Sequence, residues 1–246
     1  MTLVAASLSG HSDAEWARAA SEHVDCAILG GIALDAPSRE AATAMAADRD
    51  REEFLPTDPL AFIGAELTAL SDLDLETGFN VRSTSTEPIR EVGEICREHG
   101  AICEINAHCR QDELCRVGCG EALLSDTERL CEQVEAAAEA GARVSVKVRA
   151  EVPGVDLVTT ARAIEDAGAG IIHVDAMDTE SVIQGVSEVS DLTVIANNEV
   201  RDRESVREYF EYGADAVSVG RPSDDPRVLA RVKKAVSEWE QREAYV

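Results

Sequence analysis

Two patterns of apolar and polar positions alternate along the chain. In one, apolar residues fall every three or four positions: Ile89, Val92, Ile95 and Cys96, then Leu130, Val134 and Ala137, then Leu157, Ala161 and Ile164. That period predicts amphipathic helices. The other is a short β-rich run that follows at once, as in "AICEIN", "ARVSVKV", "AGIIHV" and "ADAVSV". The junctions carry Gly100, Gly141, Gly168 and Gly213, and glycine just past a helix end takes the left-handed conformation without a Cβ penalty. Helices alternating with short strands imply βα units and a parallel sheet. Strands are predicted at about 3–8, 25–30, 77–82, 101–106, 143–149, 170–175, 191–196 and 215–220. Eight such units predict an α/β chain folded as a (β/α)8 TIM barrel, with residues 1–246 forming one domain. Residues 31–71 are the least regular and are predicted to hold one or two extra helices between the second and third strands.

Parity along the strands selects side chains for the barrel interior. In "RVSVKVR", Val144, Val146 and Val148 share one face, while Ser145, Lys147 and Arg149 share the other. The apolar set belongs toward the helices, so the polar set points inward, with Lys147 and Arg149 near the C-terminal mouth where this fold places its chemistry. By the same test His173 and Asp175 point inward and Ile172 and Val174 outward. Glu104 and Asn106 also point inward, with His108 and Cys109 just beyond their strand. The last strand turns the small Ala216, Ser218 and Gly220 inward, leaving room for a phosphate to meet backbone N–H groups.

Charge changes the picture in one respect. There are 48 acidic residues against 23 basic ones, spread along the chain, and the only lysines are Lys147, Lys233 and Lys234. Such a surface fits a high-salt environment, in which counter-ions screen the self-repulsion. A lysine kept inside the barrel by a chain so poor in lysine is the more informative. No apolar run spans a bilayer, and the start "MTLVAASLSGHSDAEW" lacks the basic and apolar regions of a secretory leader. A cytoplasmic protein without membrane contact is expected, and an odd number of cysteines argues against a secreted disulfide framework.

Four of the seven cysteines, Cys103, Cys109, Cys115 and Cys119, lie within residues 101–126 with spacing C-x5-C-x5-C-x3-C. Structural zinc is usually held by two close pairs, which this spacing lacks, and no metal site is assigned. Cys103 has outward strand parity and Cys131 sits in a helix beside Leu130, so both read as small core residues. Cys115 and Cys119 are expected in a loop over the mouth, where a redox role stays open.

The segment "EINAHCRQDELCRVGCGEALLSDTERL" resembles that of dihydrouridine synthases, in which a strand ending in a D/E-x-N motif runs into Gly-Cys-Pro and then a glycine-rich stretch and an "ALL" helix. "VSVKVR", "IIHVDA", "VIANNEV" and "VSVGRP" follow in the order of that family's lysine strand, histidine strand, Asn-Gly turn and terminal Gly-Arg. The resemblance implies FMN held by Lys147 and His173, with its phosphate near Asn197, Asn198, Gly220 and Arg221, and Cys109 as proton donor. It implies catalytic roles for Cys109, Lys147 and His173, and it admits NAD(P)H as electron donor. Hydride from flavin and a proton from the thiol would reduce an activated C=C bond, that of a uracil ring in tRNA.

Departures from the pattern are specific. His108 and Arg110 replace the family's glycine and proline around Cys109, and would lower the thiol pKa or bind an anionic substrate together with Asn106 and Arg149. "LVAASLSG" stands in place of an Ala-Pro-Met flavin contact, and Arg82 stands about where the family has glutamine. Arg82, Arg90, Arg110 and Arg116 form a basic strip that reads as surface ion-pair partners. The 26 residues after Gly220 suffice for the last barrel helix, so the family's C-terminal helical domain is expected to be lacking. Together with the acidic surface, this keeps two alternatives: an FMN oxidoreductase of a small molecule, resembling dihydroorotate dehydrogenases, and a non-catalytic binding barrel.

Overall fold

A computed structural model describes residues 1–49 and 52–243. The chain runs β1 (Leu3–Ala5), α1 (Ala14–Ala20), β2 (Cys26–Ala33), α2 (Ala36–Arg49), α3 (Pro59–Thr68), β3 (Glu76–Arg82), α4 (Glu87–His99) and β4 (Ile102–Asn106). It continues through α5 (Asp112–Arg116), α6 (Glu121–Leu124), α7 (Thr127–Glu139), β5 (Arg143–Arg149), α8 (Leu157–Asp166), β6 (Ile171–Asp175), α9 (Val182–Ser187) and β7 (Thr193–Asn197). Last come α10 (Arg203–Glu211), β8 (Ala216–Val219), a 3-10 turn (Arg221–Asp224) and α11 (Pro226–Glu243). The strands are all parallel and in sequence order, and β1 pairs with both β2 and β8 to close the barrel. The expected (β/α)8 architecture is the one observed.

The helical periods place their apolar faces as predicted. Ile89, Val92, Cys96, Leu130, Val134, Ala137, Leu157, Ala161 and Ile164 are buried against the outer faces of the strands, which contribute Val144, Val146, Val148, Ile172 and Val174. Gly100, Gly141, Gly168 and Gly213 all have positive φ just past helix ends. Some of the excess acid has a local task. The side chains of Asp13, Asp58, Asp126, Asp156 and Asp202 accept from backbone N–H groups that begin helices, satisfying donors that would otherwise lack partners.

The barrel interior is layered. Val4, Cys26, Ile28, Ile102, Ile171, Ile195 and Ala216 fill its lower part with apolar side chains. The polar residues selected by parity lie above them, toward the C-terminal ends of the strands.

Several details differ from the sequence reading, and β1 ends at Ala5 rather than at residue 8. Strand β2 continues to Ala33, past Gly30 and Gly31, because the strand is buried throughout and its glycines carry no parity signal. Residues 112–116 form a short helix, α5, in place of a loop, and it packs on α2. Cys119 is a packing residue: with Ala33, Ala41, Ala42, Met45 and Leu114 it surrounds Cys109. Of the two helices between β2 and β3, α3 therefore packs beside α4 in the outer shell, and α2 covers one side of the mouth.

Candidate active site at the barrel mouth

Parallel pairing sets the polar side chains side by side. Asn80 is in register with Glu104, Asn106 with Lys147, Lys147 with His173, Arg149 with Asp175, Asp175 with Asn197 and Asn197 with Ser218. Their hydrogen bonds converge on one carboxylate. Asn106 Nδ2 donates to Asn80 Oδ1 at 2.8 Å, and Asn80 Nδ2 to Glu104 Oε1 at 2.7 Å. From the other side, Asn197 Nδ2 donates to Ser218 Oγ at 2.6 Å, Ser218 Oγ lies 2.7 Å from His173 Nε2, and His173 Nδ1 lies 2.8 Å from Glu104 Oε2. Ser145 Oγ also reaches Glu104 Oε2 at 3.3 Å. A buried polar group is tolerable only when satisfied, and this network satisfies the fully buried Glu104 on both oxygens.

The charges follow from that geometry. Burial works against ionising Glu104, but the His173 ring, the Lys147 ammonium and the Asn80 amide outweigh it and hold its pKa down to about 2. Burial and the neighbouring Lys147 lower the His173 pKa, which favours the neutral ring. Nδ1–H then donates to Glu104, and Ser218 donates to Nε2. Both ring nitrogens of His173 are thus taken up within the protein.

Lys147 differs from every other charged group in the barrel. It is only 4% exposed, yet its ammonium makes no hydrogen bond or ion pair among the described residues. Its charge acts through space, lowering the pKa values of Glu104 and Asp175. The Arg149 guanidinium, also predicted for the mouth, donates to Glu121 Oε2 on α6 at 2.9 Å.

Cys109 is built into a charged pocket. Its N–H and that of His108 both donate to Asn106 Oδ1, at 3.1 and 3.2 Å. Its carbonyl accepts from Glu121 N at 2.8 Å, an approach that Gly120 permits: a Cβ there would sit 2.1 Å from the Cys109 oxygen. Burial raises the thiol pKa, but the Arg82 guanidinium and the His108 side chain override it and bring it down to about 7. His108 Nε2 in turn lies 2.8 Å from Asp175 Oδ2. Arg110, the other residue expected to act on the thiol, is exposed beyond the pocket.

Arg82 is the residue that sequence reasoning misplaced. It is 2% exposed and reaches into the barrel, donating to Glu53 Oε2 at 3.1 Å, to Gly31 O at 3.3 Å and to Ser9 Oγ. A Cβ at Gly31 would stand 3.0 Å from its Nη2 and 2.5 Å from Asn80 Oδ1, so a larger residue there would crowd both. The signal was present: in "GFNVR", Asn80 and Arg82 share inward parity opposite Phe79 and Val81. Arg90 and Arg116 do pair at the surface, with Glu139 and Asp112.

The positions expected to meet a phosphate lie together at the ends of β7 and β8. Asn198 and Glu199 both have positive φ, 111° and 50°. The Asn198 side chain donates to Met177 O at 2.7 Å, and the buried Tyr209 hydroxyl donates to Asn198 O at 2.9 Å, which holds this turn. Space is open in front of Gly220. Arg221 is exposed at the start of the 3-10 turn, and two residues on the Ser223 hydroxyl is buried without a partner among the described residues.

Comparison with known proteins places this site in context. The chain is similar to an uncharacterized protein of Methanocaldococcus jannaschii, 25% identical over 229 residues that cover 89% of this chain and 88% of that protein. The fold is similar to that of the tryptophan synthase complex of Pyrococcus furiosus, with a TM-score of 0.58 at 14% identity and 96% of each chain covered. It is also similar to 3-hexulose-6-phosphate synthase of Salmonella typhimurium, with a TM-score of 0.59 at 15% identity over 97% of this chain and 99% of that one. A FabK mutant of Thermotoga maritima gives 0.59 at 17% identity, covering 90% of this chain and 61% of that one. These structural likenesses show the barrel. The model of the dihydrouridine synthase family matches residues 79–246, which run from within β3 through β8 and include Asn80, Arg82, Cys109, Lys147 and His173. On that match, covering well over half of its length, the chain belongs to the dihydrouridine synthase family.

Proposed function

We propose that the protein is an FMN-dependent oxidoreductase that adds a hydride and a proton across an activated C=C bond of a uracil ring. The observation that carries this reading is Lys147: a lysine only 4% exposed whose ammonium has no hydrogen-bond or ion-pair partner among the described residues, one strand from the loop that presents Cys109. An ammonium at the mouth that no protein group binds directly is left to meet an anionic ligand, and reduced flavin is one, with charge at its N1–C2=O edge. Lysine suits the task because a compact ammonium reaches one ring edge where arginine's planar fork would not.

The donor set fits the rest of the cofactor. Asn197, Asn198, Gly220 and Arg221 line the ends of β7 and β8, where this fold receives phosphate, and the unpartnered Ser223 hydroxyl lies in the same turn. His173 supports the site from below by fixing Ser218 and Glu104 rather than by offering a free nitrogen. Asn106 positions the Cys109 loop, and His108, Arg110 and Arg149 flank the opening where substrate enters. The bound flavin would supply the hydride, with NAD(P)H as the source of its electrons. The thiol would supply the proton.

Uracil within tRNA is the substrate that family membership favours. The formal net charge of −25 favours a free pyrimidine or related small molecule, because tRNA binding depends on neutralising phosphates. Flavin released on denaturing the purified protein tests the cofactor, and Lys147→Ala should lower flavin retention. A protein that neither carries nor takes up FMN overturns the reading in favour of a binding barrel. Dihydrouridine mapping in tRNA from a strain lacking the gene and any redundant enzyme then separates the substrates: lost sites mark tRNA, an unchanged profile a small molecule.

A further inference from the structure

His108 stands where the family pattern has glycine, and it joins a carboxylate to the thiol. Its Nε2 lies 2.8 Å from Asp175 Oδ2, and its side chain, next to Cys109 in the chain, is among the groups that hold the thiol pKa down. With Nε2 held by Asp175, Nδ1 is the nitrogen left for sulfur. Both ends are fixed from outside. Asn106 Oδ1 accepts from the backbone N–H groups of His108 and Cys109, and Asp175 Oδ1 accepts from Met177 N at 3.3 Å. A carboxylate that orients an imidazole beside a nucleophilic or acidic side chain is a device for holding and moving a proton. Access to water differs along the row: His108 is half-buried, whereas Cys109 is buried.

We infer that His108, oriented by Asp175, is the proton carrier of Cys109, taking a proton from water at the mouth and returning it to sulfur after each transfer to substrate. The identity of the proton acceptor rests on the oxidoreductase reading above; the Cys109–His108–Asp175 row does not. Only protons move. The S–H bond of Cys109 breaks as a C–H bond forms on substrate, and sulfur keeps the electron pair. The N–H bond of the imidazolium then breaks as S–H forms, and the neutral ring takes its next proton from water.

The groups facing this row agree with that use. Cys109 faces Arg82 of β3, which favours thiolate, and Glu53, which opposes it more weakly. Cys119 lies beside it, while Cys115 on α5 directs its thiol at the Cys109 carbonyl at 3.6 Å. His108 faces Asp175, which favours imidazolium, and Lys147 of β5, which opposes it. Despite burial, the Asp175 carboxylate raises the His108 pKa, and the Arg82 guanidinium with His108 lowers that of Cys109, which brings the two groups toward each other for proton exchange.

The test needs no cofactor. The full chain is alkylated with iodoacetamide between about pH 5 and pH 9, and modification of Cys109 is read by peptide mass spectrometry. The wild-type midpoint is expected near the lowered thiol value of about 7. His108→Gln should move it up by about one unit and slow alkylation at neutral pH about fivefold, toward ordinary thiol behaviour. Asp175→Asn should move it in the same direction by less. A midpoint unchanged in His108→Gln overturns the inference. If that variant does not fold, as judged by circular dichroism, an unchanged midpoint in folded Asp175→Asn overturns it instead. A chain that binds no flavin removes the oxidoreductase reading, while the alkylation profile still decides the role of His108.

Discussion

The Arg82 guanidinium and the Glu53 carboxylate meet at 3.1 Å with each side chain only 1% exposed, and the same guanidinium faces Cys109. One buried cation therefore serves two partners, a carboxylate that follows α2 and the thiol that follows β4. Removing one member of a buried pair leaves an uncompensated charge and costs about 3–5 kcal/mol, far more than a surface pair is worth. Arg82→Gln should lower unfolding stability by that order in a denaturant titration. The double variant Arg82→Gln with Glu53→Gln should recover part of the loss. Equal losses in the single and double variants would show that the carboxylate is not the partner that matters. The same substitution should raise the Cys109 pKa, because Arg82 is the strongest influence holding it down.

The reach of sequence reading here follows from what strand alternation encodes. In β5 every second residue is valine and the others are Arg143, Ser145, Lys147 and Arg149, so the polar face is explicit in seven residues. The repeated helix–glycine–strand junction was legible for the same reason: each unit must bury one face, and each needs a left-handed residue to turn back. Arg82 obeys the same parity; charge alone sets it among the exposed arginines, and only its strand face separates it from them. Its partner Glu53 was out of reach altogether. It lies between two helices with no period of its own, and only closure of the barrel brings it to β3. The commitment of His173 to Glu104 and Ser218 was likewise invisible, since strand pattern gives a side chain's direction but not its partners.

Glu104 gives a pH prediction. Its folded pKa is about 2, below the ordinary glutamate value. A depressed carboxylate pKa contributes stability that is fully present above the unfolded value and is lost as pH falls through the folded one. The contribution here is on the order of 3 kcal/mol, lost between about pH 4.5 and pH 2. Glu104→Gln should flatten stability across that window and lower it at neutral pH, where its amide cannot accept at both positions that Glu104 now fills. Urea midpoints measured at several pH values check this, and an equally steep acid limb in the variant would assign the loss to other carboxylates.

Salt offers a test of the surface. With 48 acidic against 23 basic residues, repulsion opposes the compact state. Exposed pairs such as Arg18–Asp72 and Arg90–Glu139 weaken as salt rises, but water already screens them and little stability is lost with them. Screening of the excess should therefore win. The thermal midpoint should rise by at least about 5 °C between 0.1 and 2 M potassium chloride, with most of the gain below about 1 M, where the screening length is already near 3 Å. A flat or falling midpoint would mean that the acids are compensated locally, by caps and pairs, and that the surface is not adapted to salt.

Gly120 tests the cradle of the thiol without touching any charged group. Its φ of 63° disfavours any other residue, and a Cβ would stand 2.1 Å from the Cys109 oxygen and 3.0 Å from the Cys109 Cβ. The loop cannot yield easily, because Cys109 O accepts from Glu121 N and Cys109 N donates to Asn106. Gly120→Ala should therefore displace Cys109 from Arg82 and His108, at a cost of at least about 1–3 kcal/mol in backbone strain. Its signature is a raised Cys109 alkylation midpoint with Lys147-dependent flavin retention unchanged, since Lys147 is placed by the pairing of β5 with β4 and β6. Gly154→Ala, also at positive φ but with open space around it, is the control: it should show modest destabilisation and an unaltered thiol. If both variants leave the midpoint in place, the contact between Gly120 and Cys109 is not what holds the thiol in its charged pocket.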